Sequence, residues 1–378
     1  MDKNSRNYQE NNSEDHLPVG EVNSEKAYLY PPQIIENPGN EYSSSTRKFQ
    51  GIPSIISLSE DKLFATWYGG KTPGEDRNNY VILSAGKNNG EKWSEEKVII
   101  DPDGEGPVRA FDPELWLDPE GKLWWFWAQG LGENKKGTYS GIWALTTENP
   151  EAEEPVWSNP RRLTDGVMMC KPIVLSSGEW LLPVSRWHRR ENSAAVVVSS
   201  DQGKTWQERG ACHVPEEVRS HDEHMVVEKS DGSLWMLIRT NYGIGESISQ
   251  DKGYTWSKLK KSSIKHTSSR FFIRRLNSGN LLLVKHGPIS KKTGRSRLTA
   301  FVSKDEGETW PYSLLLDERD GVSYPDGTQT DAGIIYLIYD YDRTGAREIL
   351  LAKIGEEDIL RGEIVSSFSQ LKILVNKA

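Results

Sequence analysis

The sequence has few cysteines and no long apolar run, and each shortage excludes a class of protein. Its 378 residues include two cysteines, Cys170 and Cys212, too few for a disulfide framework or a structural zinc site. No run of about 18 apolar residues is present, so no membrane-spanning helix is predicted. The formal net charge of -8 argues against nucleic acid or an anionic membrane as the main partner.

The N-terminal segment also has almost no large apolar side chains. Residues 1–27 are rich in Asn, Ser, Glu and Asp, which predicts a disordered or loosely packed lead-in to a single catalytic domain over residues 28–378. The segment has no apolar core of the kind that a secretion signal needs, so we expect a cytoplasmic location.

Aromatic residues, in contrast, make up 10% of the chain, and short strands with period-two alternation dominate it. One such strand recurs six times, with anchors at Leu63, Leu123, Trp180, Leu234, Leu281 and Ile335. Six four-stranded units of this size are typical of a six-bladed β-propeller, so the predicted fold class is all-β. A helical turn is predicted only near residues 355–360.

A second motif, Ser-x-Asp-x-Gly-x-x-Trp, lies between the recurring strands. Complete copies span Ser199–Trp206, Ser249–Trp256 and Ser303–Trp310, and a degenerate copy ends at Trp93. The motif predicts a tight hairpin in which the Asp accepts backbone N–H bonds, the Gly permits a positive φ and the Trp packs under the loop. We therefore interpret these Asp residues as structural.

The inner strands of a propeller end at the mouth of its central channel. The residues about eleven before each anchor should reach that mouth: Ile52, Asp112, Met169 (with Lys171 close by), Glu223, Arg270 and Tyr324. The far ends of the anchor strands add Tyr68, His188, Arg239, His286 and Asp340. Carboxylates, a tyrosine and cations are therefore expected to face one another.

Residues 45–345 resemble the exo-sialidases and their six-bladed BNR, or Asp-box, relatives. Glu223 and Arg239 lie sixteen residues apart, as the essential Glu and the following Arg do in that family. The segment GRSRLTAFVSKDEGETW is similar to one that carries a further arginine, here Arg295. SYPDGTQTDAGIIYLIYD resembles the segment with the nucleophilic tyrosine, here Tyr324.

The resemblance implies a glycoside hydrolase with a tyrosine nucleophile. A phenol has a pKa near 10, so Tyr324 needs a base, and Glu223 would take its proton. Asp76, in a Gly-containing loop after the first blade's strand, would protonate the leaving oxygen. Arg239 and Arg295 would bind the substrate's carboxylate.

One position departs from the family pattern. Sialidases open with Arg-Ile-Pro, whose Arg completes a three-arginine clamp, whereas this chain has Gly51 before Ile52-Pro53. Arg47 lies nearby but out of register. Each lost charge-assisted hydrogen bond is worth about 1.5–3 kcal/mol, which leaves open whether the acidic sugar is sialic acid.

Further polar residues have no counterpart in that resemblance. Asp112 is a second candidate catalytic carboxylate, which would suit an inverting route. The remaining candidate substrate-binding residues are Lys171, Arg109, His188, Arg270 and, as a flat platform for a sugar ring, Trp67. His221 and His224 flank Glu223 without the spacing of a zinc site.

Three functions stay open from sequence. The leading hypothesis is an exo-acting hydrolase that removes a terminal acidic sugar from an oligosaccharide or glycoconjugate, in carbohydrate metabolism. The second is a polysaccharide lyase acting on a uronate, with His188 or His286 working alongside Tyr324. The third is a non-catalytic carbohydrate-binding propeller. No cofactor or metal is implied, no nucleic-acid or membrane partner is expected, and the sequence does not predict the oligomeric state.

Overall fold

The computed structural model of the chain describes residues 24–59, 61–104, 106–132 and 139–378. They form six antiparallel sheets arranged as a six-bladed β-propeller, which confirms the predicted fold. The described residues contain no helix that is long and apolar enough to cross a membrane. The cytoplasmic location stays a prediction.

The strands of each blade are contiguous in sequence. Blade 1 contains β1 (Gln33–Glu36), β2 (Phe49–Ser57), β3 (Leu63–Gly70), β4 (Asn79–Lys87), β5 (Lys92–Trp93) and β6 (Val98–Asp101). Blade 2 contains β7 (Val108–Leu117), β8 (Leu123–Leu131), β9 (Ser140–Thr147) and β10 (Arg161–Asp165). Blade 3 contains β11 (Ile173–Val174), β12 (Trp180–Ser185), β13 (Ala194–Ser199) and β14 (Gln207–Cys212).

The other three blades have four strands each. Blade 4 contains β15 (Arg219–Glu228), β16 (Leu234–Thr240), β17 (Gly243–Ser249) and β18 (Lys260–Lys261). Blade 5 contains β19 (Phe272–Arg275), β20 (Leu281–His286), β21 (Ser296–Ser303) and β22 (Tyr312–Asp320). Blade 6 contains β23 (Val322–Gln329), β24 (Ile335–Tyr341), β25 (Glu348–Ile354) and β26 (Gln370–Lys377).

Helical segments are short. They are the 3₁₀ helices η1 (Ser24–Leu29), η2 (Asn40–Tyr42), η3 (Ser44–Thr46) and η4 (Glu216–Val218) and the α-helix α1 (Glu356–Arg361). The position of α1 agrees with the helical turn predicted near residues 355–360. Residues 1–23 of the predicted loose lead-in lie outside the described residues. The rest of it enters η1, which Gln129 fixes to blade 2 by donating to the carbonyls of Tyr28 (3.3 Å) and Tyr30 (2.7 Å).

The innermost strands of four blades carry an irregularity at the mouth of the channel. Their register shifts at the same depth, and at each shift one non-glycine residue has a left-handed backbone: Ile52 (φ 58°), Asp112 (φ 49°), Asp222 (φ 54°) and Tyr324 (φ 51°). A positive φ is strained for such residues, above all for a β-branched one, and β-bulges of this kind re-aim side chains. The strain therefore marks where the blades present side chains to the channel.

The ring closes between blades 6 and 1 without a shared strand. Asp326 of blade 6 accepts hydrogen bonds from the Ser54 hydroxyl (2.7 Å) and the Ile55 amide (3.0 Å) of blade 1. Asp340 accepts one from the Ile52 amide at 2.8 Å. Two carboxylates thus join the ends of the propeller.

A cluster of buried charges, here called the channel plug, lies below the mouth; it consists of Ser54, Glu114, Lys171, Arg270 and Asp326. Lys171 Nζ lies 2.6 Å from Asp326 Oδ2, and Arg270 Nη2 lies 2.7 Å from Glu114 Oε1. Burial, reinforced by the neighbouring charge of Asp326, raises the pKa of Glu114 above its ordinary value. Because each carboxylate faces a cation, the charges of the plug balance. Its residues come from blades 1, 2, 3, 5 and 6, so the plug joins these blades.

The three Ser-x-Asp-x-Gly-x-x-Trp turns share one hydrogen-bond pattern. In each, the Asp accepts the backbone N–H of the Thr four residues later at 2.8 Å. The Ser hydroxyl accepts the N–H of the Gly, whose φ is positive. The turns follow β13, β17 and β21, which run away from the mouth, so these Asp residues are remote from it.

Candidate active site

The mouth of the channel contains a pocket of about 130 Å³. Its lining residues are Ile52, Glu75, Asp112, Met169, Trp187, His221, Glu223, Arg239, Arg295, Tyr324 and Arg343. Five of the six positions predicted to reach the mouth are among them, and the sixth, Arg270, lies in the channel plug. The repeat register therefore locates the wall of this pocket.

Three buried side chains meet in the pocket. The Tyr324 hydroxyl donates to Glu223 Oε1 at 2.9 Å, and Arg239 Nη1 donates to the same carboxylate oxygen at 2.6 Å. Arg239 Nη1 is also 2.8 Å from the Tyr324 oxygen, which accepts from it. The phenol therefore points its proton at a carboxylate that can accept it and its lone pairs at a cation that can stabilise the negative charge developing on the oxygen when that proton leaves.

In the resting pocket, the proton shared between Tyr324 and Glu223 belongs to the tyrosine. Burial, together with the charge of Glu223, raises the pKa of Tyr324 above its ordinary value. Burial alone would raise the pKa of Glu223 as well, but Arg239, His221 and the Tyr324 hydroxyl outweigh it and lower that pKa below its ordinary value. The pair thus rests as neutral phenol and ionised carboxylate, ready for proton transfer from one to the other.

Three guanidinium groups surround the tyrosine ring. Besides Arg239, Arg343 lies 4.2 Å and Arg295 lies 5.4 Å from the ring centroid of Tyr324. Within the described residues the Arg295 guanidinium forms no ion pair, so its charge is available to an anionic ligand.

Arg343 is, with Glu75, one of two pocket residues that sequence reasoning missed. Its Nε donates to Asp340 Oδ2 (2.9 Å), its Nη1 to Glu75 Oε1 (3.2 Å) and its Nη2 to the Ser323 hydroxyl (3.1 Å). A guanidinium has five N–H donors, so one on each terminal nitrogen is left for a ligand. Its position three residues after Asp340, already predicted to reach the mouth, is the signal that would have found it.

The glycine that replaces the family's first arginine makes room for Arg343. A Cβ atom at Gly51 would lie 2.9 Å from Cγ and Cδ of Arg343 and 2.9 Å from Asp340 Oδ2. A side chain at position 51 and this path of Arg343 are therefore incompatible. Arg47, the nearest arginine in sequence, is buried elsewhere and pairs with Glu96 at 2.6 Å.

The carboxylates near the pocket differ in orientation. Asp76, the predicted acid, accepts hydrogen bonds from Thr72 and Asn78 within its own loop, and its neighbour Glu75 lines the pocket instead. Asp112 lines the pocket and is buried. Burial, with the charge of Glu75, raises the pKa of Asp112 well above its ordinary value. Asp112 is thus better placed than Asp76 to donate a proton.

The structure assigns different surroundings to the other predicted substrate-binding residues, none of which lines the pocket. Lys171 and Arg270 are held by carboxylates of the channel plug. Trp67 is fully buried and donates to Gln50 at 3.1 Å, so it cannot stack on a sugar. Arg109 packs on the Phe111 ring behind the pocket wall, and His188 lies on the rim. We revise the roles of the first three to structural support.

The histidines beside Glu223 have separate surroundings. His221 lines the pocket, whereas His224 is buried, with its ring nitrogens 2.9 Å from the Asp222 carbonyl and 2.8 Å from the Ala195 carbonyl. The described part of the chain contains no group of three His, Cys, Asp or Glu side chains that could hold a metal ion.

A larger cavity, of about 610 Å³, opens at the opposite end of the channel, where β2 and β23 end. Two of its cations already form ion pairs: Lys171 is paired within the plug, and Arg275 is paired with Glu306 at 2.7 Å. Among the residues that the structure describes, no tyrosine side chain lines it. The mouth pocket, where Tyr324, Glu223 and Arg239 meet, is therefore the better candidate for an active site.

Residues 61–337, more than half of the chain, match the BNR repeat-like domain family. The chain belongs to this family. A curated relative, a sialidase of Bacteroides fragilis, is 24% identical in an alignment of 353 residues that covers 81% of this chain and 62% of the relative. The chain thus spans less than two thirds of that sialidase.

Solved structures with the same fold include glycan-active proteins. A Hadza microbial sialidase superposes with a TM-score of 0.66 at 20% identity, covering 83% of this chain and 67% of that one. The α-L-arabinanase of Penicillium chrysogenum has a TM-score of 0.58 at 14% identity, covering 88% of this chain and 99% of that one. At these identities the likeness establishes the propeller fold.

Proposed function

We propose that this BNR repeat-like protein is an exo-acting glycoside hydrolase that removes a terminal acidic sugar from an oligosaccharide or glycoconjugate. The observation that carries the proposal is the buried Tyr324–Glu223–Arg239 contact within a pocket lined by arginines. The sialidase relative supports the same class of reaction. The channel plug lies beneath the pocket. The pocket therefore suits the terminal sugar of a glycan better than a glycan that passes through the channel.

The contacts support a double-displacement reaction that retains the anomeric configuration. The Tyr324 oxygen attacks the anomeric carbon while its proton passes to Glu223, and Asp112 gives its proton to the departing glycosidic oxygen. Water then attacks the anomeric carbon, which breaks the bond from that carbon to the tyrosine oxygen, and gives its proton to the Asp112 carboxylate. The tyrosine leaves and recovers its proton from Glu223. A neutral phenol is suited to a substrate whose own carboxylate would repel an anionic nucleophile.

The preference for an acidic sugar follows from the balance of charges. Glu223 is paired with Arg239 at 2.6 Å and Glu75 with Arg343 at 3.2 Å, and the raised pKa of the third lining carboxyl group, Asp112, favours its uncharged form. The Arg295 charge and the remaining donors of Arg343 then favour a carboxylate on the substrate.

The lyase alternative receives less support from the positions of its histidines. His286 is fully buried, and its Nε2 lies 2.8 Å from the Val322 carbonyl. His188 stacks on Tyr139 at the rim. Neither lines the pocket that contains Tyr324.

A substrate screen tests the proposal. The protein is incubated with aryl sialoside, aryl glucuronide and acidic oligosaccharides, and both the released sugar and the ultraviolet absorbance of an unsaturated uronide are followed. Release of an acidic sugar without new absorbance is the expected result. Growth of absorbance would establish a lyase, and binding of these glycans without any product would establish a carbohydrate-binding propeller.

A further inference from the structure

An exposed aromatic stack lies on the rim of the pocket. The rings of Tyr139 and His188 are stacked at 4.7 Å with an interplanar angle of 21°, and Tyr139 is 53% exposed. Tyr139 directly precedes β9, which starts at the mouth, and His188 follows β12, which ends there. Both rings therefore belong to the face of the propeller that contains the pocket.

The stack is continuous with the pocket wall. His188 is adjacent in sequence to Trp187, which lines the pocket, stacks on Phe111 with ring centroids 6.1 Å apart and donates from its indole N–H to the His221 carbonyl at 2.7 Å. Phe111 directly precedes Asp112 in β7, so Phe111 and Trp187 place aromatic rings on the side of the pocket that carries the candidate acid. A leaving group protonated by Asp112 would therefore lie on this side of the pocket.

Charged side chains near the stack are paired with one another. Arg186 and Arg189 are both paired with Glu208, at 3.1 and 2.6 Å, and Asp165 is paired with Arg162. Burial, which outweighs the opposing charge of Asp165 and is reinforced by Arg186 and Arg189, lowers the pKa of His188 and so favours the neutral imidazole. A flat, neutral, half-exposed aromatic face suits the C–H face of an uncharged sugar ring.

We infer that the Tyr139–His188 stack is a binding subsite for the sugar on the leaving side of the cleaved bond, so that the substrate's leaving group is a neutral saccharide. The inference rests on the proposed function. The mouth pocket holds the acidic sugar, and the rim stack holds the next residue of the glycan.

Two substrates with the same acidic sugar test the subsite. One carries that sugar on a neutral disaccharide, and the other is its methyl glycoside, which offers no ring to stack on Tyr139. We expect Tyr139→Ala to lower kcat/KM for the oligosaccharide about tenfold, the scale of one aromatic contact, and to change the methyl glycoside less than about twofold. Tyr139→Phe keeps the ring and should retain the wild-type ratio.

Tyr254→Ala is the matched control, since Tyr254 is 61% exposed but lies in a turn at the opposite end of the propeller. Tyr254→Ala should leave kcat/KM for both substrates unchanged. An equal loss on both substrates in Tyr139→Ala, or no loss on either, would overturn the subsite and leave the hydrolase intact. Wild-type protein that cleaves neither substrate would overturn the proposed function and the subsite with it.

Discussion

The hydroxyl of Tyr324 on blade 6 donates a 2.9 Å hydrogen bond to the carboxylate of Glu223 on blade 4, across the channel mouth. The two residues are 101 positions apart in sequence, and each lies at a strained bulge of an innermost strand. Strain of this kind persists only where the surrounding structure enforces it, and it clusters at functional sites. The fold holds the proposed nucleophile and its proposed base in contact.

Glu223→Gln should lower kcat by more than about 100-fold, because the amide cannot accept the phenol's proton. Steady-state kinetics on the acidic substrate found in the screen measure the effect. Glu228→Gln, a change on the same strand outside the pocket, is the matched control and should keep wild-type activity. Near-full activity in Glu223→Gln would remove Glu223 from the mechanism.

Asp112→Asn should lower activity strongly on an oligosaccharide and much less on an aryl glycoside whose phenol departs without protonation. The same change in Asp76 should have the smaller effect, because Asp76 bonds within its own loop. If Asp76→Asn shows the leaving-group dependence and Asp112→Asn does not, the acid is Asp76.

The pH profile follows from the two shifted carboxyl groups. The pKa of Glu223 is lowered, so the base stays ionised until the pH falls through that lowered value, where activity is lost. The pKa of Asp112 is raised, so the acid stays protonated to a higher pH than an ordinary carboxyl group, and activity is lost as the pH rises through that raised value. We expect kcat/KM to be bell-shaped in pH and its basic limb to disappear in Asp112→Asn. A basic limb that persists in this variant would assign it to another group.

Much of this site could be predicted from the sequence, because the repeat fixes how deep each inner strand reaches. That register alone predicts that Asp112, Glu223 and Tyr324 lie together at the channel mouth. The register could not show which of Glu75 and Asp76 lines the pocket, because both lie in a loop, where no periodicity relates sequence position to the direction of a side chain.

Other features depend on contacts between distant parts of the chain. Arg343 enters the pocket only because Gly51, on the first blade, leaves space for it. The prediction of Trp67 as a sugar platform is wrong because blades are packed on both faces, so alternation along a strand does not separate channel-facing from buried rings. Lys171 and Arg270 reach the channel as expected, yet the carboxylates that neutralise them come from other blades.

Arg343→Ala should raise KM for an acidic substrate about 10- to 100-fold, the range expected for losing one charge-assisted hydrogen bond. Gly51→Ala should act in the same direction, because its Cβ would displace the Arg343 side chain. Gly294→Ala, where an added Cβ meets no atom within 4 Å, is the control. Unchanged KM in Arg343→Ala would show that Arg239 and Arg295 bind the carboxylate alone.

Asp326→Ala should lower the free energy of unfolding by about 3–5 kcal/mol, because it leaves the buried cations Lys171 and Arg270 without one of their partners and opens the blade 1–blade 6 junction. Urea unfolding measures it. Lys122→Met, which breaks a surface pair with Glu148, should cost less than about 1 kcal/mol. Equal losses in the two variants would contradict a structural role for the plug.

The central claim, that Tyr324 attacks the anomeric carbon, is tested most directly by NMR of the first-formed sugar from wild type and from Tyr324→Phe. The double displacement predicts that wild-type protein releases an acidic sugar with retained anomeric configuration and that Tyr324→Phe releases essentially none. Inverted configuration, or a Tyr324→Phe variant as active as wild type, would contradict it.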